Sequence, residues 1–134
     1  MTVKAKAARP AGSATAFLNV DLDLSGKSIP PRLVRALSAG ALVLHQSKTL
    51  AVFEMKTQPK GIDRAVAAFA RLVRGLSAAD RAAWDGCRAR SFNVGIKAGT
   101  RPYAKEFAVS QSSLKAALGV GAGFVFTVYA EGGD

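Results

Sequence analysis

The chain has 134 residues and a formal net charge of +10, from 19 Lys and Arg against 9 Asp and Glu, so it has the length of one domain and a strongly basic balance. Apolar residues make up 49% of the sequence, which supplies a core and excludes an intrinsically disordered chain. The single cysteine and single histidine exclude a disulfide framework, a cysteine-rich zinc site and a histidine-cluster metal centre.

The two ends of the sequence differ in composition from the part between them. Residues 1–14 are basic and lack hydrophobic periodicity, which predicts a flexible basic tail. They contain no apolar core of a secretory signal, and no stretch approaches the roughly 18 apolar residues of a membrane span. We therefore expect a cytoplasmic protein without a membrane partner, in which residues 15–130 form a single domain and residues 131–134 a short acidic tail.

Strict alternation of apolar and polar residues from Ala16 onward predicts the first strand. Its expected core-facing residues are Leu18, Val20, Leu22 and Leu24, and its expected outward-facing residues are Phe17, Asn19, Asp21 and Asp23. Pro30 and Pro31 favour the start of a helix, which Gly40 ends. The short apolar runs 41–45 and 50–56 follow and predict a β-hairpin.

Apolar residues at spacings of three and four give the strongest helical signal, over residues 62–76. A second helix is expected from Ser77 to about Cys87, because Ser77 and Asp80 resemble a capping box. The remaining predicted elements are a strand over 91–97, a loop over 98–105, a short sixth strand at Phe107 and Val109, a helix containing Leu114, Ala117 and Leu118, and a last strand over 124–130.

This order, β-α-β-β-α-α-β-(β)-α-β, predicts an α+β domain. We expect a mixed or antiparallel sheet of five to six strands with the helices on one face, related to the ferredoxin-like split βαβ arrangement. In the later half, residues 90–96, 107–118 and 123–129 read as strand, short strand, helix and a closing strand with an aromatic end. That half resembles a bacterial family of small uncharacterised α+β domains. The resemblance implies the fold and assigns no catalytic residue.

The open face of such a sheet is the first candidate site. Asn19, Asp21 and Asp23 are expected there, together with Asn93 and Tyr129 from later strands. Carboxylates at i and i+2 leave a strand in parallel, so they are able to hold a hard cation or to act as acid and base. The alternatives are polar residues that solvate an exposed face, and a dimer that packs through it.

A basic helix face is the second candidate site. Arg64, Arg71 and Arg74 fall within about 80° of one another on a helical projection, opposite the apolar stripe, and Lys60 continues the row. Such a row is able to contact phosphates through salt-dependent attraction. The alternative is an ordinary solvated helix surface.

These observations favour a non-enzymatic binding or interaction domain that acts through its open sheet face or as a homodimer, with a protein or a second copy as its partner. Three alternatives stay open: a nucleic-acid-binding protein, a toxin-neutralising partner protein of the immunity type, and a small enzyme that uses Asp21 and Asp23. We predict no metal, no cofactor and no other catalytic group. Cys87 and His45 are the only thiol–imidazole pair available, and Cys87 is expected to be a buried apolar side chain.

Overall fold

The described part of the chain, residues 13–132 of a computed structural model, contains five strands and four helices. In chain order they are β1 Ala16–Ser25, α1 Pro31–Leu37, β2 Ala41–Gln46, β3 Leu50–Met55, α2 Ile62–Arg74, α3 Ala78–Asp85, β4 Ala89–Lys97, α4 Gln111–Gly119 and β5 Gly123–Tyr129. The predicted α+β class is confirmed, and of the predicted mixed or antiparallel sheets of five to six strands the structure has a mixed sheet of five.

The five strands form one sheet in the order β2-β3-β1-β4-β5. Neighbouring strands are antiparallel except β4 and β5, which are parallel. The first four strands therefore have the order of the split βαβ arrangement. The α4 helix and β5 extend that sheet by one parallel strand, which forms an outer edge of the sheet.

The core lies between one face of the sheet and the helices. Leu22 in β1 is fully buried and is paired with Phe53 of β3 and Phe92 of β4. Phe69 of α2 packs on Phe92, with ring centroids 5.8 Å apart. This contact reflects the predicted three-and-four spacing, which gives α2 an apolar face for the sheet. The opposite face of the sheet carries no helix of the described chain.

A bulge in β1 makes part of the predicted alternation wrong. The pairing of β1 with β4 shifts between Phe17 and Asn19, because a bulge inserts one extra residue and reverses the alternation beyond it. Phe17 therefore packs against the core, and Leu18 is exposed. The predicted orientation holds from Asn19 onward.

The predicted sixth strand at Phe107 and Val109 does not form: the described chain is irregular there. Both side chains nevertheless pack against the core. The physical reason is the parallel pairing of β4 and β5, since a parallel connection must leave the sheet and cross over one face. Residues 98–110 begin that crossover.

The two ends of the described chain meet. Residues 1–12 of the predicted tail, and residues 133–134, lie outside the described residues. The Ser13 amide and hydroxyl donate to Oε2 of Glu131 at 2.7 and 3.0 Å. These hydrogen bonds lower the pKa of the Glu131 carboxyl. The Thr100 amide donates to the Ser13 carbonyl at 2.9 Å, so Ser13 is held within the fold.

Candidate binding surface on the open sheet face

One row of side chains crosses the open face perpendicular to the strands. The register places Leu42, Glu54, Asp21, Asn93 and Val125 side by side, one from each strand. At about 4.8 Å between strands, the row is roughly 19 Å long. Its two ends are exposed apolar side chains, and its middle is acidic. The row is long enough to contact one short segment of a partner.

Three carboxylates form the acidic centre of this face: Asp21, Asp23 and Glu54. Asp21 is directly opposite Glu54 on the neighbouring strand, and Asp23 follows Asp21 by two residues on the same face. Like charges directly opposite each other destabilise a sheet. The arrangement therefore has a cost in stability that polar neighbours only partly offset.

Two asparagines link the acidic centre into hydrogen-bond networks. Nδ2 of Asn19 donates to Oδ1 of Asp21 at 2.9 Å and to Oε2 of Glu54 at 3.0 Å. Nδ2 of Asn93 donates to Oδ2 of Asp23 at 3.1 Å, and Asn93 in turn accepts from Oγ1 of Thr127 at 2.7 Å. The amides hold the carboxylates in place without neutralising them.

Electrostatics at the acidic centre act most strongly on Asp21. Partial burial, then the charge of Asp23, then that of Glu54 raise the pKa of Asp21 from its ordinary 3.8 to about 6. Each of these effects disfavours the ionised form. Asp21 is therefore mostly ionised at pH 7.5 and mostly protonated at pH 5.

No basic side chain of residues 13–132 forms an ion pair with the acidic centre. The ion pairs among these residues, Arg32–Asp80 at 2.7 Å and Arg81–Asp85 at 3.2 Å, lie on the helices. This lack of pairing is notable in a chain with a net charge of +10. Within the same residues, no group of three or more His, Cys, Asp or Glu side chains has a geometry that could hold a metal ion.

The structure brings four of the five predicted sheet-face residues together and leaves one apart. Asn19, Asp21, Asp23 and Asn93 lie on β1 and β4, within the two hydrogen-bond networks. Tyr129 is exposed on the same face but is paired with Lys97, four residues beyond Asn93. That separation is about 13 Å along the strand, so Tyr129 belongs to the margin of the face.

Glu54 is the residue of this site that sequence reasoning missed. Its position between the buried Phe53 and Met55 indicates an outward side chain. Only the strand order, however, places β3 beside β1 and thus Glu54 opposite Asp21.

The residues of the predicted basic row are exposed in the structure. Lys60, Arg64, Arg71 and Arg74 are all exposed, and among the described residues none of the four makes an ion pair or a side-chain hydrogen bond. The Arg64-to-Arg74 segment rises about 15 Å along the helix. Lys60 also lines a cleft of about 350 Å³ with Asn19 and Glu54, so the row begins beside the acidic centre.

Arg90, in contrast, has a structural role, because its side chain donates hydrogen bonds to backbone carbonyls. Its Nη1 donates to the carbonyls of Trp84, Asp85 and Cys87 at 3.1, 3.2 and 2.8 Å. Its Nε donates to the carbonyl of Gly121 at 2.8 Å. Carbonyls at the end of a helix have no partner within the helix, and Arg90 supplies one while tying α3 to the turn before β5.

Cys87 and His45 do not form a thiol–imidazole pair. Cys87 is buried in the core, and burial raises the pKa of its thiol, which favours the unreactive protonated form. His45 is exposed and paired with Val52, which places it on the open face of the sheet. The two residues therefore lie on opposite faces of the sheet.

Comparison with protein-family models, curated proteins and solved structures gave no match. The resemblance to a bacterial family of small α+β domains stays a prediction. No helix of residues 13–132 is long and apolar enough to cross a membrane. The arguments about function therefore rest on the surface itself.

Proposed function

We propose that this protein is a cytoplasmic, non-enzymatic binding domain whose open sheet face binds a protein partner through a basic segment with apolar flanks. The observation that carries the proposal is the acidic centre. Asp21, Asp23 and Glu54 lie side by side without an ion pair among the described residues. Partial burial and then the repulsion from Asp23 and Glu54 raise the pKa of Asp21, in a chain that is otherwise strongly basic. A cationic partner would remove that repulsion on binding, since opposite charges across an interface give specificity and speed association.

The ends of the cross-strand row support the same partner chemistry. Leu42 and Val125 are exposed on either side of the acidic centre. Protein–protein interfaces combine apolar contact with a few charged groups that fix register. The row thus matches a segment with lysine or arginine in the middle and apolar residues on both sides.

A titration with deca-lysine at pH 7.5 and about 50 mM salt, followed by the amide NMR signals, tests the proposal. The net charge of the protein repels this peptide, so localised binding reports the acidic centre alone. We expect the largest shifts at Asp21, Asp23 and Glu54, and a loss of at least about 10-fold in affinity at pH 5, where Asp21 is protonated.

A matched pair of triple variants provides the control. Asp21→Asn with Asp23→Asn and Glu54→Gln is expected to abolish the localised shifts. Asp63→Asn with Asp80→Asn and Asp85→Asn changes the net charge equally but lies on the helices, so it should retain them. Equal binding by both variants, or no localised shifts in the unmodified protein, would refute the proposal.

Nucleic-acid binding through α2 is the second candidate function. The observation that favours it is the exposed row of Lys60, Arg64, Arg71 and Arg74, which begins beside the acidic centre and runs along α2. Exposed cations without carboxylate partners within the described chain are available to phosphates.

A further inference from the structure

The outer edge of β5 lacks the features that normally protect an edge strand. Its sequence, GFVFTVY, contains no charge and no proline. Its pairing with β4 runs through seven positions without a bulge. The other edge strand, β2, carries a bulge between Val43 and His45. Bulges, charges and prolines are the usual means of preventing edge-to-edge pairing, so β5 is the edge open to another strand.

The backbone of β5 presents regularly spaced free groups along that edge. The Ala98 amide donates to the Tyr129 carbonyl at 2.8 Å, so the backbone groups of Tyr129 point toward β4. Successive residues of a strand point their backbone groups to opposite sides. The amides and carbonyls of Phe124, Phe126 and Val128 therefore point outward, where no described residue bonds them.

Apolar side chains surround these free groups. Phe126 and Val128, on the helix side of the sheet, are 46% and 61% exposed. Leu114 and Leu118 of α4 are 51% and 81% exposed.

The two leucines point toward the same edge. They lie about 100° and 140° around the helix from the buried Ser113, on the side of Ala117. Another flank of α4, at Ala116, faces α2 in a shared groove, and α2 covers β1 and β3. The leucine flank is therefore turned away from α2, toward the β5 edge.

We propose that a second copy of this chain occupies the β5 edge by antiparallel β5–β5 pairing, which joins the two five-stranded sheets into a single ten-stranded sheet. A two-fold axis beside Phe126 would pair Phe126 with the partner's Phe126, and Phe124 with the partner's Val128. This register uses all the free backbone groups named above. It also packs the exposed aromatic and aliphatic side chains of one copy on those of the other.

Charge and area support a second copy as the occupant. Two molecules with a net charge of +10 each repel one another least where they meet through an uncharged surface, and β5 is such a surface. The exposed apolar side chains of β5 and the two leucines of α4 together present roughly 550 Å² per copy, or about 1,100 Å² in the dimer. That area is at the lower limit for a specific interface, so we expect a micromolar dimer.

Hydrogen exchange of the unmodified full chain tests the proposal directly. Between about 5 and 500 µM protein, the amides of Phe124, Phe126 and Val128 should become protected as the dimer forms. The amides of Val125, Thr127 and Tyr129, which face β4, should be protected at every concentration. Sedimentation velocity over the same range should show one step from monomer to dimer.

Matched variants locate the interface. Phe126→Lys places two cations at the two-fold axis and is expected to weaken the dimer at least about 30-fold. Leu44→Lys makes the same change on the β2 edge, at a comparably exposed side chain, and should leave the dimer intact. Phe126→Pro removes the outward-facing amide and the ring without adding a charge, and it should also weaken the dimer. The conclusion therefore does not depend on the lysine variant folding correctly.

Three outcomes would overturn the proposal: a monomer at 500 µM, a dimer that Phe126→Lys and Phe126→Pro leave intact, or a mass that grows beyond two copies. The edge and the acidic centre are separable. Edge pairing leaves the acidic centre uncovered, so the triple variant of Asp21, Asp23 and Glu54 should dimerise normally whether or not it binds deca-lysine.

Discussion

Replacing Asp21 by asparagine should make the protein more stable at neutral pH. Asn19 donates its amide to Oδ1 of Asp21 at 2.9 Å, and the side-chain oxygen of an asparagine accepts the same bond. The substitution therefore removes the charge beside Asp23 and Glu54 while it keeps the acceptor. Any change in stability therefore reports the electrostatic repulsion at Asp21 rather than the loss of this hydrogen bond.

The size of the effect follows from the pKa of Asp21, which is raised from 3.8 to about 6. The full shift corresponds to about 3 kcal/mol, and solvent screening of a partly exposed carboxyl reduces the expected gain to about 1–2 kcal/mol. The folded state binds the Asp21 proton more tightly than the unfolded chain does. The unmodified protein should thus lose stability from Asp21 as the pH rises from about 4 to about 6, whereas the asparagine variant should not.

Urea unfolding at pH 4 and at pH 8 measures the difference. At pH 8 the variant should be more stable by about 1–2 kcal/mol, with a melting temperature higher by about 3–8 °C. At pH 4 the difference should largely vanish. A variant that is less stable at pH 8, or whose gain is equal at both pH values, would contradict the electrostatic account of the acidic centre.

Asp63→Asn is a control in which the expected change in stability at pH 8 has the opposite sign. The Asp63 carboxylate accepts from the Ser113 hydroxyl at 2.5 Å and from the Ser110 amide at 3.1 Å, and these bonds lower its pKa. Its contribution to stability is present above the ordinary pKa of 3.8 and is lost as the pH falls through the lowered value. Asp63→Asn should therefore destabilise the protein at pH 8 and less so in acid.

Two further predictions concern the basic residues. Arg90→Ala should reduce the free energy of unfolding, measured in urea, by about 2–3 kcal/mol, because four carbonyls lose a charged donor. Arg88→Ala, which replaces an exposed neighbour, should change this free energy little. Equal effects of the two variants would show that Arg90 does not tie α3 to β5. For the second candidate function, the affinity for a 20-base-pair DNA duplex should fall with salt, and replacing Lys60, Arg64, Arg71 and Arg74 by alanine should lower the logarithmic slope by up to about 3.6; no binding at about 50 mM salt would rule that function out.

The three surfaces lie on different parts of the molecule. The open face contains the acidic centre, α2 contains most of the basic row, and β5 contains no charged residue. Pairing through β5 would place two open faces side by side in one extended sheet. A partner with two basic segments would then bind both copies at once, which raises its overall affinity.

Much of the fold could be predicted from the sequence because it depends on local periodicity. The alternation around Leu22 and the spacing around Phe69 indicate β1 and α2 without any knowledge of their neighbours. The α+β class follows from the order of these elements. The outward orientation of Asp21 and Asp23 follows for the same reason, since neighbouring side chains of a strand point to opposite faces.

The rest was decided by contacts between residues far apart in the chain. The bulge that turns Phe17 inward arises from pairing with β4, and the irregular path at Phe107 follows from the parallel crossover to β5. Glu54 joins the acidic centre only because β3 lies beside β1. The sequence alone therefore determined the outward orientation of Asp21 and Asp23, whereas the order of the strands decided which outward residues are neighbours, because cross-strand proximity has no local signature.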